Sequence, residues 1–134
     1  MGTWAEGSVE SDQALDWLDE LHKNPREEFL RSTLEQVVRK PKDERSTRDE
    51  VNAVAAADIV ACWLGHAPAE PLRAELVNWA QQQFKLAPEM VDLAKDVVRA
   101  VKMDSQLKEL WGPVPKWLRA MDNLEERLQP AATD

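Results

Sequence analysis

The groups in this chain with chemical potential are its carboxylates, one thiol, two imidazoles and six indoles. Asp12, Asp16 and Glu20 follow one another at intervals of four residues, which puts them on one helical face, and Asp19 lies beside them. Like charges at that spacing cost about 0.2–0.5 kcal/mol per pair, so the row needs a reason. One reading is a binding edge for a basic protein or a weak cation. The other is a helix cap at Asp12 followed by solvated acids. Asp58 sits inside "AVAAADIVACW" with apolar neighbours on both sides. A carboxylate there needs a hydrogen-bond donor, or its pKa rises. An indole N–H, an arginine or a helix end would serve, and Asp58 is read as a structural polar anchor. A catalytic base is the alternative, although no nucleophile or second carboxylate lies near it in sequence.

Cys62 and His66 are also four apart, the spacing of a thiol–imidazole dyad or half a metal site. Gly65, however, ends a helix between them and sends the two side chains apart. With His22 as the only other histidine, a closed zinc site would need carboxylates to complete it. No catalytic residue, metal or cofactor is expected. Trp17, Trp63, Trp79 and Trp117 fall on apolar faces and read as core. Trp4 and Trp111 stay open, and an exposed indole would anchor a protein interface. No basic groove accompanies the indoles to make a stacking platform for bases. Phosphate-binding glycine loops, G-x-S-x-G and H-E-x-x-H are absent from the sequence.

The elements that must position these groups follow from apolar spacing. Ala14, Leu15, Trp17, Leu18 and Leu21 predict a first helix over about 12–22. Asn24-Pro25 reads as a cap followed by proline at the first helical position, with Glu27 completing a capping box. The helix it opens would bury Phe29, Leu30, Leu34, Val37 and Val38. "KPKDERS" carries proline and dense charge without periodicity, so 41–47 is expected to be an exposed loop. Thr47 with Glu50 signals a third helix running to a left-handed cap at Gly65. A fourth helix is expected from near Pro71, using Leu72, Leu76, Trp79, Ala80 and Phe84. Pro88 opens a fifth with Met90, Leu93, Ala94, Val97, Val98 and Val101 on one stripe. A short segment with Leu107, Leu110 and Trp111 precedes a last helix presenting Trp117, Leu118, Met121, Leu124 and Leu128. No stretch alternates as a strand does. The expected fold is all-α: one compact bundle of about six helices, spanning 1–134 as a single domain, with the coil 1–11 packed on it through Trp4 and a frayed tail at 130–134.

Length and charge narrow the function. A chain of 134 residues with 43% hydrophobic and 31% charged residues is one ordinary globular domain. No apolar run reaches the roughly 18 residues of a membrane span, and the acidic start resembles no secretory signal. A cytoplasmic location is expected, in keeping with the lone thiol. The net charge is −8, and residues 1–24 hold six acids against Lys23 alone. Such a field repels nucleic acid and anionic lipid and steers basic proteins towards it.

The opening "MGTWAEGSVESDQALDW" resembles a bacterial family catalogued as a domain of unknown function, number 4259 in that series. Its pattern, M-G-x-W-G-x-G-x-F-x-N-D-x-A-x-D-W, is met at Met1, Gly2, Trp4, Gly7, Asp12, Ala14, Asp16 and Trp17. Ala5, Val9 and Ser11 depart from it. The similarity extends weakly to the alanine-rich helix carrying Asp58 and to S-x-L-x-E-L-W at Ser105–Trp111. It implies a small acidic helical protein in a bacterial setting, and no activity.

The expected function is therefore a non-enzymatic protein-binding domain, in particular an immunity-type inhibitor that masks a basic bacterial toxin. Asp12, Asp16, Asp19, Glu20 and Trp4 would meet the partner. A small ligand-binding or catalytic domain using Asp58 or the Asp12/Asp16 edge is the alternative, and a homo-oligomeric scaffold is a third.

Overall fold

The long apolar stripes fold as helices. The computed structural model describes residues 12–65, 78–111 and 115–128, with side chains for all of these except 12–15, 110, 111, 115–117 and 120, and they contain no strand. In chain order they form α1 (Asp12–Lys23), α2 (Glu27–Val38), a 3₁₀ turn (Lys42–Glu44), α3 (Thr47–Trp63), α4 (78–83), α5 (Pro88–Met103), α6 (Gln106–Trp111) and α7 (Pro115–Arg127). This is the expected all-α bundle. The coil 1–11, the tail 130–134 and Leu72, Leu76 and His66 lie outside the described residues.

α3 is the hub. Its side chains from Ala53 to Cys62 are all buried, and a helix apolar on every side must be enclosed by neighbours. Small alanines let α1, α2 and α5 approach it, since interaxial distance follows side-chain size at the contact. α5 answers with its stripe: Met90, Ala94, Val97, Val98 and Val101 are buried, whereas Asp92, Asp96 and Arg99 face water. Met90 and each of the three valines contribute about 1.5–3 kcal/mol by leaving water.

α1 is fixed by an aromatic contact as well as by Leu18 and Leu21. The Trp17 ring stacks on Phe29 with centroids 5.7 Å apart. Its indole Nε1 donates to Thr33 Oγ1 at 3.1 Å, and that hydroxyl donates to the Phe29 carbonyl at 3.0 Å. The buried indole N–H is thereby satisfied. Trp63 and Trp79 also pack on the core, half-buried, with Trp63 Nε1 donating to the Phe84 carbonyl at 3.0 Å. Trp4 and the side chains of Trp111 and Trp117 lie outside the described set.

Several local expectations shift. Asn24 does not cap α2. Its N–H closes α1 on the Glu20 and Leu21 carbonyls, so Pro25 becomes linker and Arg26 holds the N-cap position without a side-chain bond. Val38 is exposed and Thr33 is buried in its place on the inner face of α2. α3 begins with a capping box one residue earlier than Thr47 and Glu50 would give: Ser46 Oγ accepts the Asp49 N–H at 3.0 Å, and Asp49 accepts the Ser46 N–H. That frees Glu50 for the interior. The stretch 41–47 is exposed at Pro41, Asp43, Glu44 and Ser46, but Arg45 points inward and is buried. Gly65 adopts the expected left-handed conformation, φ +89°, and its N–H bonds the Cys62 carbonyl at 2.8 Å.

Candidate functional site

The acidic row of α1 lies on the side opposite its core residues. Asp16, Asp19 and Glu20 are all exposed, while Trp17, Leu18 and Leu21 are buried. Helical spacing explains this, because two polar positions flank each apolar pair. Asp19 pairs with Lys23 at 3.2 Å, but the two side chains are 69% and 74% exposed, so water and salt compete with the contact. Asp12 belongs to α1, with its side chain outside the described set.

Asp58 is an anchor for α7. Its carboxylate is 1% exposed and receives the Arg127 guanidinium at 2.7 Å, tying the middle of α3 to the last turn of α7. Arg127 Nε also donates to Asn123 Oδ1 at 2.7 Å, which orients the guanidinium. The Cys62 thiol, one turn on from Asp58, lies 3.9 Å from the same carboxylate oxygen and is fully buried. An arginine, one of the anticipated partners, is thus among those used.

A second buried carboxylate was not anticipated from sequence. Glu50 has no solvent exposure and is held by Arg45 Nη1 at 3.4 Å. Its Oε2 accepts the Gln106 N–H at 3.2 Å and its Oε1 the Leu107 N–H at 2.8 Å. Glu50 therefore caps α6, supplying acceptors to N–H groups that have no partner inside that helix. Gln106 replies by donating its side-chain amide to the carbonyls of Lys42 and Arg45. Spacing placed Glu50 in a capping box with Thr47, and nothing local pointed to its burial or to Gln106.

Gln106 also lines an open cleft of about 550 Å³, together with Lys42, Asp43, Thr47 and Glu109. Lys42 bridges Asp104 at 3.3 Å and Glu109 in a closer contact. The hydrogen bond to Glu109, opposed by desolvation and aided by Asp104, holds the ammonium above its ordinary pKa of 10.5. Neither Asp58 nor Asp16 lines the cleft.

A third polar group joins α5 to α7. Lys102 Nζ donates to Asp122 at 2.9 Å and to Glu125 at 2.5 Å, while Arg99 Nε donates to the other Glu125 oxygen at 3.2 Å. Among the described residues, no three histidine, cysteine, aspartate or glutamate side chains come together to hold a metal ion. No described helix is long and apolar enough to cross a membrane.

A family model described as "Domain of unknown function (DUF4259)" matches residues 2–120. The match takes in α1 to α6 and stops inside α7, short of Arg127. No curated protein and no solved structure matches the chain.

Proposed function

The chain belongs to the DUF4259 family, and from that premise we propose that it is a non-enzymatic protein-binding domain that meets a basic partner through the outer face of α1. The observation that supports this is the contrast between its two kinds of acid. Asp58 and Glu50 are spent inside the fold on Arg127, Arg45 and the start of α6, whereas Asp16, Asp19 and Glu20 stand in water on a helix fixed by Trp17 and Leu21. Exposed charge on a rigid element accelerates encounter with an oppositely charged protein. Trp4 and Asp12 extend this edge in the sequence. A bacterial immunity-type inhibitor that masks a basic toxin in the cytoplasm is the specific form of the proposal, with neither nucleic acid nor membrane as partner.

The test is affinity capture at physiological salt with wild type and with Asp16→Asn/Glu20→Gln as baits. A basic partner retained by wild type and lost by the variant is expected. Equal retention by both, or no retained protein, overturns the reading.

The cleft favours a second reading, a small polar ligand held beside Lys42, Thr47 and Gln106. A thermal-shift screen compared between wild type and Gln106→Leu checks it; stabilisation by the same compounds in both chains would sink it.

A further inference from the structure

We infer that residues 40–45, in the connection between α2 and α3, form a polar strap that detaches from α6 as a unit while the rest of the fold stays closed, and so controls access to the groups it holds. The inference goes beyond both readings proposed above and depends on neither. Residues 40–45 bring no apolar side chain into the core: Pro41, Asp43 and Glu44 are exposed, and the 3₁₀ turn has no buried residue. Arg45 is buried, but against the carboxylate of Glu50 at 3.4 Å. The other ties run from Lys42 to Asp104 and Glu109, from Lys40 to Asp49 at 4.0 Å, and from the Gln106 side-chain amide to the carbonyls of Lys42 and Arg45. The strap is thus held by charges and hydrogen bonds.

Its own shape survives release. The Glu44 N–H bonds the Pro41 carbonyl at 2.9 Å, the Arg45 N–H the Lys42 carbonyl at 3.2 Å, and Arg45 Nε the Lys40 carbonyl at 3.1 Å, all inside the strap. α6 keeps its place by other means, through buried Leu107 and the Glu50 cap that comes from α3. Water replaces what opening gives up, because parted ions regain hydration whereas parted apolar surfaces do not. The outer tie is also open to salt: Glu109 and Asp104 are 66% and 76% exposed where they meet Lys42. Segments with little buried apolar area are the ones that open ahead of the global transition. Release takes Arg45 off Glu50 and two carbonyls off the Gln106 amide, so a carboxylate and an amide engaged in the resting fold become available to solvent or a ligand.

The test is trypsin cleavage of the full chain after Arg45, read by mass spectrometry as an initial rate and divided by the rate for a free 39–49 peptide in the same buffer. Trypsin must draw an arginine side chain into its pocket, and Arg45 is 8% exposed, so cleavage there counts open straps. Gln106→Ala removes the grip on both carbonyls and is expected to raise the ratio about tenfold. Lys42→Met, with the matching peptide, should raise it about threefold, and salt should raise it in wild type more than in this variant. Thr33→Val lowers the stability of the whole fold away from the strap and should leave the ratio unchanged. Lys42→Met carries the test if Gln106→Ala loses its helical circular dichroism. A ratio that ignores both strap variants, or that rises with Thr33→Val as much as with Gln106→Ala, means that only whole-chain unfolding frees Arg45 and overturns the strap.

Discussion

Glu50 Oε1 accepts the backbone N–H of Leu107 at 2.8 Å across 57 residues of chain, so the first turn of α3 supplies the cap of α6. The same carboxylate holds the Arg45 guanidinium at 3.4 Å. Glu50→Ala should cost about 3–5 kcal/mol in urea unfolding, because it leaves a buried arginine and two helix-end N–H groups without their acceptor. Glu50→Gln keeps an oxygen for Leu107 but not the charge for Arg45, and about 1.5–3 kcal/mol is expected. Equal effects of the two variants would show that the ion pair, and not the cap, carries the stability.

Thr33→Val should destabilise the chain by about 1–3 kcal/mol, since it keeps the volume but leaves the Trp17 indole N–H buried without an acceptor. Thermal unfolding checks the magnitude. A tryptophan emission shift that accompanies it would place the change at Trp17.

Gly65→Ala forces an L side chain to φ +89°. A new Cβ would sit 3.4 Å from Gln81 Nε2, ordinary contact, so backbone conformation and not crowding sets the cost. About 1–2 kcal/mol is expected. Gly65→Asn should recover part of it, because asparagine tolerates this region better.

Acid and alkali should both loosen the seam between α5 and α7. The Lys102 hydrogen bond holds the Glu125 carboxyl below its ordinary 4.5, against desolvation and with help from Arg99. Because the folded value is the lower one, this stabilisation is complete above 4.5 and fades as pH falls through the folded value. The Glu125 and Asp122 hydrogen bonds hold the Lys102 ammonium above its ordinary 10.5, so its stabilisation is complete below 10.5 and fades as pH rises through the folded value. Lys102→Met should flatten both limbs of the stability–pH curve by up to about 1 kcal/mol, less at high salt, because the pair is partly solvated.

The sequence by itself determined the elements and their inward faces. Apolar residues at helical spacing have one way to leave water together, so the stripe of α5, the core face of α1 and the enclosure of α3 follow from pattern alone, and Gly65 marks the end of α3 because few other residues adopt its conformation. The need of Asp58 for a donor was equally legible, since burial of a carboxylate obliges one. Tertiary structure decided which donor. Arg127 reaches Asp58 across 69 residues, and Glu50 meets Leu107 across 57, distances over which side-chain spacing carries no information. Local capping fell between these cases: Ser46, Thr47, Asp49 and Glu50 offer two overlapping boxes, and the one formed is Ser46–Asp49, which leaves Glu50 turned to α6. The partners of buried charges are chosen by packing, because only the assembled helices bring them within hydrogen-bond reach.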